Sequence, residues 1–226
     1  MLRCLSVAAV LGLALVVVGP MRSAEESGPL VVGKNVPATF HPYNVTARLD
    51  ARVEPGDDED ADVKVKKVDY TTKGKFHCLV TEYDLDPVVM LFARNLEENA
   101  AFRDLLTKLD GAIERNPGVR MRSFVVFVAD DIADVVADDD KRAEAEKRIQ
   151  KVADDLKLKN VVLTLASKSD VAKYALDDTS ALTGVVYKQL RIDGVHTATR
   201  DKLDKADADP VKAIMKDVAE KLKATR

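Results

Sequence analysis

Cys78 is the side chain with the widest chemistry open to it. It lies in the run Gly74-Lys-Phe-His-Cys-Leu-Val-Thr-Glu-Tyr-Asp84, and the only other cysteine is Cys4, four residues from the start. A thiolate, not a thiol, is the nucleophile, so neighbouring charge matters. Lys73, Lys75 and His77 favour the anion, whereas Glu82, Asp84 and Asp86 oppose it. A Cys-x-x-Cys pair uses its second thiol to expel a bound substrate from a mixed disulfide. Here the fourth position is Thr81, which has no sulfur to do so. Three outcomes stay open for Cys78: a sulfenic acid, a mixed disulfide with another molecule, or a packed thiol without chemistry.

Other candidate chemistries are thinner. The histidines are His41, His77 and His196. His77 and Cys78 are adjacent, and adjacent residues rarely bind one ion in a relaxed geometry; a structural zinc needs four ligands. No metal site is expected. The chain shows no nucleophile elbow and, among its 10 glycines, no phosphate-cradling loop. No cofactor is expected. A net charge of −3 and a pI near 5.7 argue against nucleic acid or an anionic membrane as partner. With no Trp and 5% aromatic residues, base-stacking and carbohydrate platforms are disfavoured.

The beginning of the chain sets the expected compartment. Met1-Leu2-Arg3 is basic, Cys4 to Val18 is an uncharged apolar run, Gly19-Pro20 breaks it, and Ala24 suits a cleavage site. This is the layout of a secretory signal peptide, residues 1–24. Arg22 stands where a small residue is preferred, and the alternative is an anchor that is retained. Cleavage leaves Cys78 as the single thiol of a secreted or periplasmic protein, with no stable membrane span expected thereafter.

The elements that position Cys78 follow in order. Residues 25–47 alternate between Gly and Pro and read as short edge strands or an extended hairpin. Residues 48–73 hold an acidic insert, Glu54 to Asp62, and an alternating strand, Val63 to Tyr70; the insert lacks the order of a calcium loop and reads as a solvated loop. Asn44-Val45-Thr46 matches a glycosylation sequon by chance. From residue 74 to 226 the core begins. Pro87 to Ala93 is a continuous apolar strand of the kind covered on both faces. A helix over Glu97–Arg115 follows, with Asn95 and Glu98 as its reciprocal cap. Then come a strand at 123–129, a helix at about 140–156, a strand at 161–165 and a helical turn at 170–174. Two close strands, 182–188 and 190–195, are expected to be antiparallel, and Asp209-Pro210 opens the last helix. The order gives a mixed central sheet with helices on both faces.

This arrangement resembles the thioredoxin-like fold in its redoxin and peroxiredoxin branch. Val32-Gly33-Lys34-Asn35-Val36-Pro37-Ala38-Thr39-Phe40 is similar to that branch's N-terminal V-G-x-x-x-P-x-F, with one extra residue before the Phe. Gly74-Lys75 leading into Pro87-Val88-Val89-Met90-Leu91-Phe92 is similar to its G-K…P-V-V-L-x-F. More narrowly, the chain resembles secreted bacterial thioredoxin-like proteins with a Cys-x-x-Cys just before this strand, of which Cys78 to Thr81 is a degenerate copy. The resemblance implies a reactive cysteine after the first core strand; Arg94, Asn95, Leu96, Glu97 and Glu98 stand there instead. It implies a proline before Thr183; Leu182 stands there. The Pro-x-x-x-Thr-x-x-Cys peroxide site is absent. The expectation is a binding or scaffold module without dithiol oxidoreductase activity, engaging a protein partner. Its alternative is a monothiol, antioxidant-like redox protein that uses Cys78 on a thiol or disulfide substrate, with Thr81 at the resolving position.

Overall fold

The computed structural model describes residues 28–48, 72–129, 138–205 and 209–224. The signal peptide, the acidic insert, the strand expected at Val63–Tyr70 and the Asp130-Asp131 pair lie outside the described residues. Six strands form one sheet in the order β1-β4-β3-β2-β5-β6. They are β1 Tyr43–Asn44, β2 Pro87–Ala93, β3 Arg122–Ala129, β4 Val161–Ser167, β5 Leu182–Lys188 and β6 Arg191–Ala198. β2 pairs parallel with β3 and antiparallel with β5; β3 pairs parallel with β4. Every residue of β2 is buried, as its unbroken apolar run requires of a strand covered on both sides.

Strand alternation sorts the core into two layers. Val89, Leu91 and Ala93 face one side with Val125, Phe127, Leu163 and Leu165. That side is covered by α2 (Ala100–Glu114), α3 (Asp139–Leu156) and α5 (Asp209–Ala224). Phe102, Leu105, Leu106 and Leu109 of α2 meet Ile149 and Val152 of α3 and Ile214 and Val218 of α5 there. Val88, Met90 and Phe92 face the other side with Phe124, Val126, Tyr174, Val185 and Tyr187. Helices occupy both faces, but unequally. Among the described residues, the second face has only the one-turn α1, Leu79–Glu82, and a 3-10 turn, Ala172–Tyr174. Two successive parallel crossovers in the same direction put α2 and α3 on the same side.

Extended chain completes the second face. Gly33 donates to the Ile192 carbonyl at 2.8 Å, Ile192 to Lys34 at 2.8 Å, and Val36 to Leu190 at 2.7 Å, so this stretch lies along the β6 edge. The chain then crosses the sheet: Phe40 stacks on Phe92 at 6.2 Å and meets Tyr174 edge-on at 5.3 Å. At the opposite edge Tyr43–Asn44 pair with β4. Residues expected as short edge strands or an extended hairpin therefore form a strap, with its two arms on opposite edges of the sheet. Its apolar residues find more burial across the open face than they would against each other.

The helix after β2 starts later than its sequence suggests. Asn95 takes a left-handed φ of 51°, Leu96 is fully buried, and the cap is Asn99, whose side chain accepts from Phe102 N–H at 2.9 Å. Asn95 and Glu98 are not the reciprocal cap. Burying Leu96 turns the chain inward before the helix can begin. A fourth helix, α4 at Arg200–Leu203, links β6 to α5. Among the described residues no helix is long and apolar enough to cross a membrane.

Candidate functional site

Cys78 is the N-cap of α1. Thr81 N–H donates to its Sγ at 3.4 Å, and the Thr81 hydroxyl lies 3.1 Å from the same sulfur. The sulfur and the hydroxyl thus stand three residues apart in the first turn of the helix. The thiol is free and 6% exposed. It packs in the second layer with Phe40, Tyr83, Tyr174 and Tyr187. His77, next to it in sequence, turns outward and meets Glu82 at 2.7 Å, both more than a third exposed.

Two tyrosines in this layer were not anticipated as part of the site. Tyr174 donates to the Ala38 carbonyl at 2.6 Å, tying the strap down. Burial, then the nearby Cys78, raises its phenol far above the ordinary tyrosine range. Tyr187 is fully buried, and its hydroxyl finds no hydrogen-bond partner among the described residues. Burial raises its phenol as well, with Tyr174, Cys78 and Tyr83 adding to it in that order. The sequence hint was faint: Tyr187 is one of two hydroxyls, with Thr183, at the buried positions of an apolar strand.

The C-terminal end of β2 is where the sheet changes from parallel to antiparallel pairing, and open α/β sheets place ligands at such points. Here an arginine occupies it. Arg94 N–H donates to the Ala181 carbonyl at 2.9 Å. Its guanidinium donates to the Asp177 carbonyl at 2.8 Å and the Ser180 carbonyl at 3.4 Å, and meets Asp178 at 3.5 Å. Lys168 also holds Asp178, at 2.8 Å, and lowers its carboxyl below the ordinary range. Thr179 lowers Asp177 through its backbone N–H first and its hydroxyl second. Arg200 reaches across to the Asn95 carbonyl, and Asn99 donates to Asp204 at 2.7 Å. The loop from 94 to 99 is thus tied to both the 177–181 turn and α4. Leu182 opens β5 opposite Ala93, and among the described residues no peptide bond is cis.

The remaining candidates do not converge. His41 is exposed. His196 Nε2 lies 2.8 Å from Asp217 of α5, on the face that α5 covers. Among the described residues no three of His, Cys, Asp and Glu are grouped to hold a metal ion. Asn44 of the sequon is fully buried and donates to Thr72 at 2.9 Å, which removes it as a glycan acceptor in the folded chain.

No family model and no curated protein matches this chain. Solved structures do match. A candidate protein disulfide isomerase from Bacteroides thetaiotaomicron aligns with a TM-score of 0.50 at 15% identity, over 86% of this chain and 91% of that one. Peroxidoxin BcpB from Mycobacterium tuberculosis aligns with a TM-score of 0.50 at 12% identity, over 86% and 97%. An uncharacterized conserved protein from Geobacillus kaustophilus aligns with a TM-score of 0.51 at 14% identity, over 84% and 82%. At these identities the likeness speaks to architecture: the chain has an α/β thioredoxin-like fold.

Proposed function

We propose that this protein is a divergent, redoxin-like member of the thioredoxin-fold proteins that performs no dithiol cycle and works as a binding module. The observation that carries this reading is the Arg94 clamp. A thioredoxin-type cycle needs an attacking thiolate and a second thiol within reach. The end of β2 instead holds a guanidinium engaged with two backbone carbonyls, and Cys78 has Thr81 rather than a second cysteine beside it. The signal-peptide layout of residues 1–24 supports work outside the cytoplasm, in the periplasm or beyond. Its partner is a protein, and the neighbours' chemistry suggests one bearing thiols or disulfides.

The Thr81 N–H donated to Cys78 Sγ, with the Thr81 hydroxyl beside that sulfur, favours a second reading, in which Cys78 does one-thiol chemistry. Insulin-disulfide reduction by dithiothreitol separates the two readings. The binding-module reading expects wild type and Cys78→Ser at the same background rate. Turnover well above background in the wild type, lost in Cys78→Ser, would replace it with a monothiol enzyme.

A further inference from the structure

We propose that the cleft between α2, α4 and α5 binds a small phosphate monoester, with the phosphoryl group held among its lysines and the organic part against its apolar wall. The cleft has a volume of about 510 Å³, within the roughly 300–1,000 Å³ of small-molecule sites. Leu203 and Val211 on its wall belong to the first core layer, apart from the second layer that holds Cys78. The site therefore stands on neither reading of that thiol.

Charge sets the ligand class. Lys108, Lys205 and Lys212 line the cleft together with Asp104 and Asp204. Lys108 engages Asp104 at 2.6 Å. Asp204 accepts from the Asn99 amide at 2.7 Å, which pins the end of α4 to the cap of α2. Three lysines against two aspartates leave one net positive charge. Two long helices add to it. Ala100 and Ala101 open α2, and Val211 and Lys212 lie in the first turn of α5; all four line the cleft. First-turn N–H groups have no partner within their own helix, and the cap Asn99 accepts that of Phe102. Each helix start is equivalent to about half a positive charge, so the local total is about +2. A phosphate monoester carries about −1.5 to −2 near neutral pH, which matches that total better than a carboxylate does. Ala100, Ala101, Leu203 and Val211 give the organic part an apolar surface.

The test titrates the isotope-labelled full chain, followed by its amide resonances, in about 150 mM salt, where exposed charges are screened beyond about 8 Å. The probes are phenyl phosphate, inorganic phosphate, benzoate and a phosphotyrosine peptide. Phenyl phosphate is expected to saturate with a Kd at or below about 1 mM, and to shift Ala100, Ala101, Val211 and Lys212 most. Inorganic phosphate and benzoate should each bind at least about fivefold more weakly. Lys205 and Lys212 are exposed, so replacing both with Ala should keep the unfolding midpoint. The double variant should weaken phenyl phosphate at least about tenfold, whereas Lys223→Ala, at the far end of α5, should change it less than about twofold. No saturation, or shifts centred elsewhere, overturns the site. Equal weakening by Lys223→Ala overturns the role of the cleft lysines. Inorganic phosphate bound as tightly as phenyl phosphate means an adventitious ion only and overturns the ester assignment. Benzoate bound as tightly overturns the choice of phosphate over carboxylate. A phosphotyrosine peptide bound more than about tenfold tighter than phenyl phosphate overturns the small-molecule assignment in favour of a protein partner.

Discussion

Cys78 and Thr81 stand 3.1 Å apart, sulfur to oxygen, at the first turn of α1. Replacing that oxygen with sulfur needs only a small adjustment to reach the S–S bond length of about 2.05 Å. Thr81→Cys is therefore expected to form an intramolecular disulfide under mild oxidation, seen as a loss of two hydrogens in the 78–81 peptide; two persisting thiols would show that the turn is too rigid. The spacing of this motif was legible in the sequence because it is local. Tyr187 was not, because its place in the Cys78 layer depends on the pairing of β5 with β2. Asp110 is a second residue that pattern alone missed, although an acid inside the Leu106, Leu109 and Ile113 stripe was the available signal. Its Oδ1 accepts from the backbone N–H groups of Lys159, Asn160 and Val161 at 2.9, 2.6 and 3.1 Å. Asp110→Ala leaves these donors without their acceptor, and a loss of about 2–3 kcal/mol is expected in urea unfolding. A cost below about 0.5 kcal/mol would mean that water replaces the carboxylate there.

Among the elements, the central strands and long helices were legible because periodic burial shows in sequence. The strap was not. Its Gly and Pro pattern specifies extended chain, but which edge it joins is decided by the open second face. The contact of α5 with β6 adds a further constraint. A Cβ on Gly194 would lie 2.1 Å from Asp217 Oδ2, the atom that meets His196. Gly194→Ala should therefore destabilise by about 1–3 kcal/mol, and by less in an Asp217→Ala background. Additive costs in the double-mutant cycle would show that the clash lies elsewhere. The turn held by Arg94 should respond to acid. Asp177 and Asp178 have folded-state pKa values below the ordinary 3.8. Their contribution is present above that value and is lost as pH falls through the lowered folded values. Amide exchange in residues 177–181, corrected for its intrinsic pH dependence, should rise below about pH 4 while β2 stays protected. Protection of the turn that persists in acid would assign the clamp to the guanidinium–carbonyl bonds alone.

At the scale of the whole molecule, a thioredoxin-like sheet carries a clamped arginine at the end of β2 and a threonine three residues after Cys78. The fold could be read from the order of elements. The Arg94 clamp could not, because the partners of Arg94 lie 83 to 87 residues away in sequence. The binding-module reading requires that no disulfide couple reside in this fold, and among the described residues Cys78 is free. Thermal unfolding with and without dithiothreitol tests it without a guess at the substrate, since a resident couple changes stability between its two forms. The chain carrying Cys4→Ser is expected to unfold at the same midpoint in both buffers, to within about 1 °C, given that a 1 kcal/mol change moves midpoints by a few degrees. A dithiothreitol-dependent shift of several degrees that disappears in Cys78→Ser would contradict the claim.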